Sequence, residues 1–76
     1  MEYYVEAIAR HGFSMNDQIN ASNLVELAQF VRETIAFHRD GIHDTSEVDC
    51  SHIDFEYKYV EDENGNDVTA EANDAK

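Results

Sequence analysis

Four histidines (His11, His38, His43 and His52) and a single cysteine, Cys50, are the residues of this chain best equipped for chemistry. A thiol beside an imidazole can act as a nucleophile with its base. Cys50, however, has Glu47, Asp49 and Asp54 as sequence neighbours, and nearby negative charge raises a thiol pKa instead of lowering it. No Gly-rich phosphate loop, His-Glu-x-x-His or nucleophile elbow accompanies it, so the chain reads as non-enzymatic. The same residues could ligate zinc. Cys50-x-His52 would lie on one face of a strand, with His38 ending a helix and His43 following it. Their spacing, H-x4-H-x6-C-x-H, matches no common zinc pattern, in which paired ligands lie about two to five residues apart. Asp62-x-Asn64-x-Asn66 imitates the start of a calcium loop, but Gly65 comes two positions too early and position twelve is not a glutamate. Neither a metal nor another cofactor is expected.

Charge is the stronger signal. The 76 residues hold 17 Asp and Glu against 5 Lys and Arg, a formal net charge of −12. Residues 1–39 set five acids against Arg10, Arg32 and Arg39, a net of −2, whereas residues 40–76 set twelve acids against Lys58 and Lys76, a net of −10. Nucleic acids and anionic membranes repel such a surface, because binding them requires cations that displace counterions. Basic proteins attract it. One cysteine excludes an internal disulfide and suits a reducing compartment. No apolar run approaches the roughly 20 residues that span a bilayer, and no basic patch precedes an apolar stretch at the N-terminus. The expected setting is therefore intracellular, in the cytoplasm.

The elements that must carry these charges follow from periodicity. Residues 2–10 alternate, with Met1, Tyr3, Val5, Ala7 and Ala9 against Glu2, Tyr4, Glu6, Ile8 and Arg10, which favours a strand over a helix. Residues 11–22 are rich in turn formers and read as a loop. Asn23-Leu-Val-Glu26 has the form of a capping box, followed by a stripe of Leu24, Leu27, Ala28, Val31 and Ile35. Arg39 and Gly41 suit a helix end, so a helix spans 23–40. Phe30 and Phe37 widen its apolar stripe on one flank and form a candidate second contact surface. Ile53, Phe55, Tyr57 and Tyr59 alternate with Asp54, Glu56 and Lys58, predicting a half-buried strand. Asn64-Gly65 predicts a type I′ turn, with a short return strand over residues 66–70. Residues 1–70 thus form one small α+β domain, a β-α-β-β unit with one long amphipathic helix on a short antiparallel or mixed sheet. Residues 71–76 have little to bury and are expected to form a disordered acidic tail. The expected core is Tyr3, Val5, Ala7, Leu24, Leu27, Val31, Ile35, Ile53, Phe55, Tyr57 and Tyr59.

Alternate residues of a strand advance about 6.6 Å, close to two base steps along one DNA strand. Asp54 and Glu56 on the strand, with Glu61, Asp62, Glu63 and Asp67 around the hairpin, therefore space carboxylates like phosphates. Size and charge are similar to those of the small acidic inhibitors of bacteriophages, DNA mimics and anti-CRISPR proteins among them, a likeness that no residue motif carries. The expected function is an inhibitor that occupies the nucleic-acid-binding surface of a basic protein through those six carboxylates. The alternatives are a docking or homodimerising module that uses the apolar helix face, its acidity serving solubility, and a small zinc-stapled domain.

Overall fold

The computed structural model describes residues 1–10, 12–40 and 53–76. Three antiparallel strands and two helices follow one another as β1 (Glu2–Ala9), β2 (Ser14–Asn20), α1 (Leu24–Asp40), β3 (Phe55–Glu61) and α2 (Thr69–Asp74). The sheet order is β2-β1-β3, so the N-terminal strand is the central one. The α+β class holds. The candidate ligands His43, Cys50 and His52, and the acids Asp44, Glu47 and Asp49, lie outside the described residues.

Strand β1 alternates as its sequence requires: Tyr3, Val5, Ala7 and Ala9 are buried, while Tyr4, Glu6 and Ile8 are half-buried on the other face. The buried set meets Leu27, Ala28, Val31, Ile35 and Ala36 of α1 in one core cluster with Ile53, Phe55, Tyr57, Val60 and Ala72. Burying a Val, Leu or Ile side chain contributes roughly 1.5–3 kcal/mol, so this cluster is the main favourable term of the fold. Helix α1 begins as its capping residues dictate. Asn23 Oδ1 accepts the Glu26 N–H at 2.9 Å, and the Glu26 carboxylate reaches back to the Ser22 N–H at 3.4 Å, one residue before the position an ideal capping box would use.

Two elements differ from the sequence reading. Residues 14–20 are a strand, not a loop, because β1 has two hydrogen-bonding edges and the chain turns straight back onto one of them. The Gly12 N–H donates to the Ala9 carbonyl at 2.9 Å and the Ala9 N–H to the Phe13 carbonyl at 2.7 Å, with Gly12 at φ +102°. The same pattern recurs after β3. The Gly65 N–H donates to the Asp62 carbonyl, the Asp62 N–H to the Asn66 carbonyl, and Gly65 takes φ +83°. Asn64 does not adopt a positive φ, so the turn is a three-residue loop with a glycine bulge and not the type I′ turn expected. The return strand shrinks to one bridge, Glu61 to Asp67, and one bond, from the Val68 N–H to the Val60 carbonyl.

The second difference is the tail. Residues 69–74 form α2, and Ala72 is fully buried. Its polar side chains complete the free edge of β3. Asn73 accepts the Tyr57 N–H at 3.0 Å and donates to the Tyr57 carbonyl at 3.2 Å, while Thr69 Oγ1 accepts the Val60 N–H at 2.9 Å. Lys76 donates to the Phe55 carbonyl. An exposed strand edge invites pairing with other chains, and here an amide and a hydroxyl close it.

A third correction concerns Tyr59. Along β1 the partners step from Glu6↔Tyr59 to Ala7↔Tyr57, leaving Lys58 as one extra residue in β3. A bulge of this kind shifts the inside-outside alternation by one. Val60, fully buried, takes the core place, and Tyr59 moves to the half-buried outer face beside Tyr4.

Strand β2 is the other edge. Its odd-numbered residues exchange hydrogen bonds with β1, as the flanking bonds of Ala9 with Phe13 and Ala21 with Met1 define. The backbone groups of Ser14, Asn16, Gln18 and Asn20 therefore point outward. The Gln18 N–H is taken up by the Asp17 carboxylate at 2.8 Å.

Tyr57 lies 2% exposed, and its hydroxyl has no hydrogen-bond partner among the described residues. Burial pushes it up to about 12, against the opposing pull of the Arg32 guanidinium. Its folded value is raised, so the associated stability is intact below about 10 and lost as pH climbs through about 12. Two substitutions should then move stability in opposite directions in urea unfolding. Asn73→Ala should cost about 1–2 kcal/mol by orphaning the Tyr57 backbone groups, whereas Tyr57→Phe should be neutral or stabilise by up to about 1 kcal/mol. Tyr57→Phe should also remove part of the alkaline loss. A destabilising Tyr57→Phe would mean that the hydroxyl has a partner.

Candidate protein-binding face

The face of the sheet turned away from the core carries no described helix. Cross-strand pairing sets its pattern. On β1, Tyr4, Glu6 and Ile8 stand opposite Glu61, Tyr59 and Glu56 of β3, and opposite Gln18, Asn16 and Ser14 of β2. Carboxylates and aromatic rings thus alternate as on a checkerboard. The Tyr4 and Tyr59 rings lie diagonally, their centroids 6.1 Å apart and tilted by 57°. The Tyr59 hydroxyl donates to Glu61 Oε1 at 3.0 Å. That bond, followed by burial and the negative charges of Glu61, Asp67 and Glu6, holds the Tyr59 hydroxyl above its ordinary value of 10.0.

The six carboxylates singled out from the sequence divide between two ends of β3, roughly 20 Å apart at about 3.3 Å per residue. Asp54 and Glu56 stand at the first end, both exposed. Asp54 pairs with Arg10 at 3.2 Å and Glu56 with Lys58 at 3.6 Å, so each has a cation beside it. Glu61, Asp62, Glu63 and Asp67 stand at the hairpin end, where no described Lys or Arg pairs with them. Asp62 accepts the N–H groups of Asn64 at 2.9 Å and Asn66 at 3.0 Å, and Asp67 accepts the Thr69 hydroxyl at 2.6 Å and its N–H at 3.0 Å. The Asn66 N–H leads the bonds that lower the Asp62 pKa, and the Thr69 hydroxyl leads those that lower Asp67. These two carboxylates stay ionised and are held in place by the loops they cap.

Two grooves make the contrast concrete. The larger, about 600 Å³, includes Arg10, Asp54, Phe55, Glu56 and Lys76 in its lining, two cations against two carboxylates. The smaller, about 440 Å³, sits at the hairpin end between Glu2, Tyr4, Gln18, Glu61, Asp62 and Glu63, and contains no cation. The other described Lys and Arg side chains are occupied elsewhere, Arg32 and Lys76 lying over the Phe55 ring, 5.5 and 5.1 Å from its centroid, while the Met1 ammonium, next to Glu2, donates to Asn20 at 3.2 Å.

Glu2, Glu6, Tyr4 and Tyr59 belong to this face although the candidate set omits them. The alternation of residues 2–10 already groups Glu2, Tyr4 and Glu6, and the missing fact was which side the helix covers. Phe30 and Phe37 do not form one patch. Phe30 is half-buried against the core, while Phe37 is 41% exposed and meets the His38 ring edge-on at 5.4 Å. His38 is exposed and stacks on Phe13 at 4.8 Å. Among the described residues no group of three His, Cys, Asp or Glu is arranged to hold a metal ion, and no helix is long and apolar enough to cross a membrane. No protein-family model, curated protein or solved structure matches the chain.

The electrostatic focus at the hairpin end is measurable through Tyr59. Glu61→Ala removes both the acceptor and the nearest charge, so the Tyr59 ring signals should titrate at lower pH, nearer 10.0, in an NMR series. Asp54→Ala, at the other end, should leave that titration where it was. Equal displacement by both changes would mean that Tyr59 senses net charge alone.

Proposed function

We propose that the chain is a non-enzymatic binding protein that occupies the basic, nucleic-acid-binding surface of another protein, the role that small acidic phage inhibitors fill. The observation that carries this reading is the unequal distribution of compensation. Arg10, Lys58, Arg32 and Lys76 all have partners at the first end of β3 or in the core, while Glu2, Glu61, Asp62, Glu63 and Asp67 gather at the hairpin end, with Glu6 next along β1, and no described Lys or Arg pairs with them; the one described positive group there, the Met1 ammonium, donates to Asn20. Charges fixed on a sheet lose little freedom on binding, so they can stand in for a phosphate row without first being ordered. Contacts of this kind weaken steeply as salt rises.

The test is capture of a basic partner from a bacterial lysate, followed by elution with salt and, separately, with duplex DNA. Captured proteins should be nucleic-acid binders that salt and DNA both release. Glu6→Lys combined with Glu61→Lys should abolish capture, with circular dichroism checking that the fold survives the change at these half-buried outer-face positions. Glu33→Lys on α1 should retain capture, and Asp54→Lys with Glu56→Lys should weaken it less than the hairpin-end pair. Capture that resists salt and fails only with Phe37→Ala would replace this reading with docking through the helix.

A further inference from the structure

The helix-free sheet face is not uniformly acidic. Its centre at the hairpin end is aromatic, with Tyr4 and Tyr59 half-buried and flanked by Glu6 and Glu61 across the strands. We propose that this face receives an arginine side chain projecting from the partner, its guanidinium laid against the two tyrosine rings and its N–H groups donating to Glu6 and Glu61. The inference rests on the preceding one for the partner being a basic protein, and it adds the side chain that is read.

Three observations single out arginine. Two half-buried rings, 6.1 Å apart and tilted by 57°, lie side by side on this face, and a cation over a tyrosine is attracted by the ring quadrupole by about 0.5–2 kcal/mol. The neighbouring carboxylates can accept a planar fork of donors, which a guanidinium supplies and an ammonium does not; the guanidinium is also more weakly hydrated and easier to bring against an apolar surface. The groove of about 440 Å³ beside Tyr4 gives the arginine stem an entry lined by Gln18 and the carboxylates of Glu2, Glu61 and Glu63. A metal ion fits the site less well, because Asp62 already accepts two backbone N–H groups and no described set of three ligands converges. A second copy of this chain, with its own net charge of −12, is electrostatically the wrong partner.

Peptide probes test the inference without the natural partner: an oligoarginine and an oligolysine of equal length, titrated into the full chain by calorimetry and NMR. The oligoarginine should bind about tenfold more tightly, should shift the Tyr4 and Tyr59 ring signals, and should show contacts between its side-chain methylenes and those rings. Tyr4→Leu with Tyr59→Leu keeps the apolar surface but removes the π faces. It should reduce oligoarginine affinity several-fold more than oligolysine affinity, while Tyr59→Phe should retain the difference between the peptides. Equal affinity of the two peptides would overturn the proposal, as would ring signals that stay still in the unaltered protein while signals near Arg10 and Asp54 move. If the peptides fail in this way while lysate capture remains sensitive to salt and DNA, the charge reading stands and the arginine pocket falls. Peptides that behave as expected beside capture that DNA cannot displace would uphold the pocket and remove the nucleic-acid surface as its target.

Discussion

Strand β1 is hydrogen-bonded along both edges and covered by a helix on one face only, and the rest of the structure is arranged around that condition. On its buried face the small Ala7 and Ala9 sit opposite the larger Tyr57 and Phe55 of β3. Its other face is then committed to solvent or to a partner. Any charge placed at Glu2 or Glu6 is displayed on the most constrained backbone of the molecule. Glu2 and Glu6 are therefore anchored on the same strand that builds the core.

The Lys58 bulge connects the core to the surface. With unbroken alternation Tyr59 would have faced the helix, and the outer face would have lost one of its two rings. With one extra residue in β3, Val60 fills the core and Tyr59 joins Tyr4. A single inserted position thus supplies both a well-filled interior and an aromatic pair among acids.

How far the sequence foretold this structure depends on where each signal is local. Helix α1 is fully legible, because Asn23 and Glu26 announce its start and Leu27, Val31 and Ile35 repeat at helical spacing. The alternation from Phe55 to Tyr57 is legible too. Tyr59 is not, because a bulge is defined by pairing with β1 and leaves no mark in β3 alone. Strand β2 reads as a loop because Ser14, Asn16, Asp17 and Asn20 are turn formers, and as an edge it buries only parts of Met15 and Ile19. Helix α2 has no apolar stripe to reveal it. Ala72 and the bonds from Asn73 and Thr69 to β3 hold it, and these are tertiary. At the candidate face the hairpin acids are readable from composition, whereas the division between compensated and uncompensated ends needs the positions of Arg10 and Lys58.

The open edge of β2 also bears on how readily two copies could join their sheets. Two copies joining their sheets edge to edge, antiparallel about a two-fold axis, would use the outward backbone groups of Ser14, Asn16, Gln18 and Asn20 most completely when Asn16 of one faces Gln18 of the other. That alignment puts Asp17 directly opposite Asp17 of the second copy, in the class of pair where side chains come closest, and like charges there are destabilising. Slipped alignments avoid the clash but forfeit part of the ladder. One carboxylate at the midpoint of a seven-residue strand thereby discourages such a two-copy sheet, while its bond to the Gln18 N–H withholds one of the donors that sheet would need.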